Sequence, residues 1–297
     1  MTRKKVLFSD MTLRDGSQSL WAMKMTYGMH QVVASEIDQA GFDYVDLPVN
    51  AVNFKMWVRF FQEDPWLISQ QFKEKFTRTK TMFPVLERID LLGEAEPRAV
   101  VIPAVRERGL EFSPCICFYP SPRTTDEYYA NLTRRLVEEY QPDQLWLKDA
   151  GGLLSLDRIR TLLPAIQKEA KGIPIELHTH GMSTYQGLVV VEAMKMGIDG
   201  VHTCIPPLAS GSSHISVFNA MHNARMLGLD HNITNVEALE VVEERLMRIA
   251  ELEDLPIGKP LEYDHGVYSH QIPGGVISNL KSQLTQLGIG DKLDEVL

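Results

Sequence analysis

Short apolar runs alternate with longer amphipathic stretches from residue 6 to residue 205. The apolar runs fall at 6–10, 43–49, 80–86, 111–118, 144–148, 174–180 and 200–205. Most are rich in β-branched or aromatic residues and have the length of buried strands. Between them, 28–39, 54–76, 96–108, 125–139 and 184–196 carry helical periodicity. Gly41, Gly109 and Gly197 close helices just ahead of the next strand, where a left-handed cap is needed. Sustained strand–helix alternation predicts a parallel sheet with helices outside it. A TIM-type (β/α)8 barrel is the expected form, because chemistry-bearing residues recur at the C-terminal ends of the strands. Seven strands are legible. An eighth is expected between Phe60 and Arg108, where the pattern is hardest to read, so the barrel is expected to be remodelled around 67–108. Beyond it, 217–227 and 235–252 read as helices and 263–297 is punctuated by Pro and Gly. The expected organisation is a barrel over 1–230 with a helical extension, 231–297, packed on it.

Composition narrows the function classes. The chain has 297 residues, with 30 Lys+Arg against 39 Asp+Glu and a net charge of −9. That balance argues against a dedicated nucleic-acid binder, which shows a basic footprint. No apolar run approaches the roughly 18 residues that cross a bilayer. Residues 6–8 are too short for a signal-peptide core despite the basic start. The 3 cysteines make no disulfide framework. A soluble, cytoplasmic protein is expected, with no membrane span.

Three segments carry candidate chemistry, each at the end of a predicted strand. In Glu176-Leu-His178-Thr-His180, residues two apart on a strand share a face. His178 and His180 can therefore aim at one metal ion, or simply be hydrogen-bonded at a strand end. In Asp10-Met-Thr-Leu-Arg14-Asp15-Gly-Ser-Gln18, Asp15 is a hard oxygen ligand. Arg14 is a fork donor for a carboxylate and Gln18 can bond a carbonyl. A turn with a surface ion pair is the plainer alternative. In Leu145-Trp-Leu-Lys148-Asp149-Ala-Gly-Gly152, Lys148 closes a buried strand, where lysine needs a partner. It is a Schiff-base nucleophile, an ion-pair partner, or a metal ligand once modified to carry an anionic oxygen.

Together these segments resemble the carboxyltransferase domain of biotin-dependent 2-oxo-acid carboxylases. That group includes pyruvate carboxylase, the transcarboxylase metal subunit and the oxaloacetate decarboxylase alpha subunit. It lies within the metal-dependent barrel lyases that include hydroxymethylglutaryl-CoA lyase. Further matches are Gln62-Glu-Asp-Pro-Trp66, Pro207-Leu-Ala-Ser-Gly-Ser212-Ser213 and Tyr268-Ser-His270-Gln-Ile-Pro-Gly-Gly275 with Asn279-Leu280. The resemblance implies that Asp15, His178 and His180 bind a divalent metal (Zn, Mn or Co). N-carboxylated Lys148 would be the fourth protein ligand. It implies that Arg14 and Gln18 orient a small 2-oxo acid such as pyruvate or oxaloacetate. Ser212 would move a proton between the substrate enol and biotin on a separate carrier protein, and the enzyme would be a homodimer. The reaction implied is carboxyl transfer or decarboxylation through an enolate.

Several positions depart from that pattern. Ser212 stands where the family has Thr, and Gly181 where an Asp usually follows the His-Thr-His. The family's substrate-binding Arg has Arg88 as its nearest counterpart. The chain is shorter than the family between Trp66 and Gly109, which leaves pyruvate itself open as the substrate. A biotin-independent decarboxylase or retro-aldol lyase, and a non-catalytic barrel scaffold, are the alternatives. Ala193-Met-Lys195-Met196 imitates a biotin-attachment site, but its helical setting argues against biotinylation of Lys195. Cys115 and Cys117 share a strand face and read as a reduced pair, in the core or lining the pore, rather than a redox couple. His202 and His214 lie near the expected mouth, where they either touch substrate or are polar residues with ordinary partners.

Overall fold

A computed structural model describes residues 4–49, 53–86 and 97–296. Its strands are β1 Lys5–Asp10, β2 Tyr44–Asp46, β3 Lys80–Leu86, β4 Glu111–Cys117, β5 Leu145–Asp149, β6 Ile175–Thr179, β7 Gly200–Thr203 and β8 Asp230–His231. All the pairings are parallel, from β2 through β7 in chain order. The ring closes where β7 pairs with β1 (Leu7↔Gly200 to Asp10↔Thr203) and β1 pairs with β2 (Asp10↔Val45). This is the TIM-type barrel expected from the alternation, with helices on its outside.

The remodelling falls inside the stretch 67–108 and consists of a shorter ring. β3 pairs directly with β4, from Met82↔Glu111 to Leu86↔Cys115, so no strand intervenes. The eighth ring strand expected between Phe60 and Arg108 is thereby corrected: the closed ring has seven strands, β1–β7. The two-residue β8 adds outside that ring, against Lys5 and Val6. Beside it, Asn232 accepts a hydrogen bond from Phe8 N and donates to Phe8 O and Gly41 O. It thus ties β1 to the turn before β2.

Two expected helices break. The span 28–39 divides into Tyr27–Gln31 and Ala34–Ala40, and 54–76 into Phe54–Met56, a π-helical turn Trp57–Phe61, and Pro65–Lys75. The second break has a local cause. Asp64 accepts from Trp66 N and Leu67 N as an N-cap, and Pro65 begins a new helix at the position where its missing N–H costs nothing.

Strand alternation separates two interiors. Phe8, Val45, Phe83, Phe112, Ile116, Leu145, Leu147, Leu177 and Val201 face the helices and form the main apolar core. The opposite set (Tyr44, Met82, Cys115, Trp146, Cys204) packs with Met11 as a smaller cluster inside the ring. The inner positions of β5, β6 and β7 beside Trp146 are Lys148, Glu176, His178 and His202, all buried. Buried polar residues on the inner face are the local departure that makes a site.

After β8, helix Val236–Leu252 packs on Ala34–Ala40, and helix Gly274–Gln286 lies on Ser17–Trp21. Trp21 Nε1 donates to Pro256 O at 3.0 Å, and Ser278 Oγ to Ser19 O. No helix among the described residues is long and apolar enough to cross a membrane.

Candidate metal centre

The segment after β1 winds as a π-helical turn, Thr12–Gly16, with every residue buried. Such turns are rare and frequent at functional sites. Three contacts hold it. Thr12 Oγ1 donates to Asp10, Ile205 N donates to Thr12 Oγ1 (2.8 Å), and the His30 ring nitrogen Nε2 bonds Leu13 O (3.0 Å). The turn presents Asp15 to the C-terminal ends of β5 and β6.

There Asp15, Lys148, His178 and His180 meet, as the motifs lead one to expect. Asp15 Oδ2 stands 3.3 Å from His178 Nε2, Asp15 Oδ1 3.3 Å from His180 Nε2, and the two imidazole Nε2 atoms 3.2 Å apart. Lys148 Nζ donates to His178 Nε2 (2.9 Å) and Asp15 Oδ2 (3.3 Å). Donors about 2.0–2.2 Å from one ion in tetrahedral geometry stand roughly 3.3–3.6 Å from each other. The three edges therefore suit a small divalent cation.

The protons on the rings point the same way. His180 Nδ1 bonds Ser212 O at 2.7 Å; a carbonyl only accepts, so this nitrogen carries the hydrogen and Nε2 the lone pair. His178 Nε2 accepts from Lys148, so its Nδ1–H donates to His202 Nδ1 (2.9 Å). His202 then donates through Nε2 to Glu176 Oε2 (2.8 Å). His214 bonds Thr179 O through Nδ1 (3.1 Å), and its buried Nε2 has no hydrogen-bond partner, 3.7 Å from Asp15 Oδ1. The ligand atoms of Asp15, His178, His180 and His214 all lie within 4.8 Å of one another. Lone pairs facing lone pairs and a carboxylate repel, and a cation between them removes that conflict.

Charge states agree with this chemistry. Burial alone would raise the Asp15 carboxyl, but Arg14 and Lys148 beside it hold it well below the usual range. Burial depresses the imidazoles: His180 falls to about 3, and His178, His202 and His214 are also lowered. Neutral imidazole is the metal-binding form. Burial pushes Glu176 up to about 7, against the Ser9 hydroxyl that donates to it.

Arg14 is fixed on three sides. Its Nε bonds Asp46 (2.6 Å), one terminal nitrogen bonds Asp15 (2.7 Å) and the other bonds Gln18 Oε1 (3.0 Å). Arg14, Asp15, Gln18, Lys148 and His180 open into a cavity of about 320 Å3. Pro84, Cys115, Cys117, Phe118, Tyr119 and Leu153 form much of its wall, and Gln271, Pro273, Gly275 and Val276 cover it from the C-terminal segment. Cys115 and Cys117 are therefore pore-lining, and neither forms a disulfide. Ser212 lies apart from this wall: its Oγ donates to Ser19 O at 2.7 Å. Arg88 falls outside the described residues. Asp149 anchors the following turn by accepting from Leu153 N, Leu154 N and Thr179 Oγ1.

A family model described as a conserved carboxylase domain matches residues 267–297. A pyruvate carboxylase subunit of Methanocaldococcus jannaschii is 27% identical over 97% of this chain and 56% of its own length. The methylmalonyl-CoA carboxyltransferase 5S subunit of Propionibacterium freudenreichii subsp. shermanii is 26% identical over 99% of this chain and 64% of its own. The chain is similar to these carboxylase and carboxyltransferase subunits. Its fold agrees: a carboxyl transferase domain of Rhizobium etli pyruvate carboxylase, solved with pyruvate, superposes with a TM-score of 0.81 at 22% identity. That match covers 99% of this chain and 56% of the other. The chain thus spans between about half and two thirds of the length of these two relatives.

Asp46 and Glu176 are members of the site that had no expected role, and His202 and His214, expected only near the mouth, sit within it. The inward alternation of β2, β6 and β7 was the available signal for the first three. His214 lies beyond its strand, and only the path of the loop brings it in.

Proposed function

We propose that this chain binds a divalent metal and moves or removes a carboxyl group on a small 2-oxo acid, through an enolate, with biotin on a separate carrier. The observation that carries the reading is the convergence of Asp15, His178 and His180 beside Lys148 and Arg14 at the floor of the cavity. Asp15, His178 and His180 would hold the metal, with Lys148 as a further ligand once its amine has added CO2 and released a proton. Bound there, the ion supplies Lewis acidity toward a carbonyl oxygen. Arg14 has five N–H donors, of which three are engaged by Asp46, Asp15 and Gln18. The others are left for the substrate carboxylate and for charge that grows on the enolate oxygen. Gln18 sets the tilt of Arg14. The Ser212 hydroxyl, on leaving Ser19 O, would carry the proton to biotin. Lys195 lies in the last turn of helix Gln186–Met196, a helical setting that leaves the biotin to a carrier on another protein. A homodimer, a cytoplasmic location and the division into a barrel of 1–230 and an extension of 231–297 belong to the same reading.

A biotin-independent lyase is the second reading, favoured by the engagement of Ser212 with Ser19 rather than with the cavity. One experiment tests both. Purified protein is assayed for bound metal, then incubated in D2O with pyruvate and, separately, oxaloacetate, with and without free biotin. Deuterium entering the methyl group, or loss of CO2 from oxaloacetate, at a metal-dependent rate supports enolate chemistry. Stimulation by biotin favours the first reading and indifference to it the second. Metal-free protein that handles neither substrate after metal is added overturns both.

A further inference from the structure

We propose that His214 is itself a metal ligand, so that the centre is built on three imidazoles and Asp15. The inference rests on the metal reading above and extends its donor set.

The loop after β7 folds back over the end of β6 and is laced to it. Gly181 N donates to Ser213 O (3.0 Å), Gln186 Nε2 donates to Ser213 O (2.9 Å) and Thr179 O (2.6 Å), and His180 Nδ1 bonds Ser212 O (2.7 Å). Gly181 allows this approach. A Cβ there would stand 2.4 Å from Gly211 O, closer than real contacts come. The Asp that usually follows the His-Thr-His in the resembling family cannot be accommodated with the loop in this position. Glycine at 181 and histidine at 214 therefore act as one device: the first lets the loop close, and the second is delivered by it.

Delivered there, His214 has the properties of a ligand. Its ring centroid lies 4.3 Å from that of His178 and 4.6 Å from that of His180. Its Nδ1–H is taken by Thr179 O, which leaves the lone pair on Nε2. That Nε2 is buried, has no hydrogen-bond partner, and looks onto Asp15 Oδ1. A metal-binding histidine shows this arrangement, with one nitrogen tied to a carbonyl and the other free. With Asp15 and three imidazoles in place, loss of the Lys148 side chain weakens the site but leaves it able to bind the ion.

The test counts imidazoles on the metal. Metal-free protein is loaded with Zn2+, and X-ray absorption reads the histidine scattering; Co2+ titration gives the affinity. Three imidazoles are expected in the native chain and two in His214→Ala, with affinity lower by more than about a hundredfold. That is beyond the roughly 10–100-fold typical of residues that only support a ligand. Gly181→Ala keeps every ligand but pushes the loop away, and is also expected to lose one imidazole. Circular dichroism of the metal-free variants checks that each is folded. Two imidazoles in the native chain, or native affinity in a folded His214→Ala, overturn the inference and leave the metal reading standing. A native chain that takes up neither metal overturns the metal reading itself, and this inference with it.

Discussion

Two residues show how the centre divides its work. Lys148 Nζ bonds both His178 and Asp15, so its loss removes a contact from two ligands at once. Lys148→Ala is expected to abolish turnover and weaken metal binding; full metal occupancy with normal turnover would refute its role. Glu176 acts through His202. As a carboxylate it only accepts, which makes His202 present a lone pair to His178 Nδ1–H and keeps His178 Nε2 free. In Glu176→Gln the amide can donate to His202 Nε2 and reverse both tautomers. Metal affinity, measured by titration of the metal-free protein, is expected to fall about 10–100-fold. An unchanged affinity would mean that His178 is oriented by Lys148 alone. The candidate ligands Asp15, His178 and His180 were legible because strand alternation and a local motif place them. Glu176 and His202 acquire their roles only when β6 and β7 lie side by side.

At the scale of elements, the π-helical turn depends on a helix that follows it. His30, from Tyr27–Gln31, bonds Leu13 O and packs edge-on against Phe72. Burial lowers it from 6.5 to about 4. Its folded pKa lies below the unfolded one, so its contribution to stability is full above about 6.5 and is lost as pH falls toward 4. Between pH 7 and pH 5 this residue alone should cost about 2 kcal/mol. Urea unfolding at the two pH values is expected to show that much less acid destabilisation in His30→Gln than in the native chain. An equal acid loss in both would show that His30 is not held neutral. The helix around His30 was visible as periodicity, but the break after Gln31 was not. Val32 and Val33 continue the apolar pattern across it, and the bond to Leu13 is made only in the assembled barrel.

For the whole molecule, the proposed metal ligands and the cavity roof come from different parts of the chain. Asp15, Lys148, His178 and His180 stand on the barrel, whereas Gln271, Pro273, Gly275 and Val276 close the cavity. Helix Gly274–Gln286 buries little of itself, only Gly274, Gly275 and Leu284. Truncation after Pro260 is therefore expected to leave a folded barrel with near-native metal affinity, but to raise KM for the 2-oxo acid by more than about tenfold as the substrate loses its enclosure. Loss of metal binding together with the fold would show that the extension is part of the barrel's stability.

The parallel barrel and most of its centre can be read along the chain, because both rest on short-range rules. Alternation along a strand sends Lys148 and His178 inward, the next even step along β6 leads to His180, and helix periodicity covers the outside. The number of strands in the ring is settled by assembly instead, since it depends on which edges meet. β3 finds β4 directly, and no local pattern states that pairing. Assembly also turns Ser212 to Ser19, anchors Arg14 on Asp46, and brings His214 into the centre. Those three placements follow from where separate segments come to rest against one another. In each case the partners are joined by packing and hydrogen bonds between distant parts of the chain, which carry no periodic signal along it.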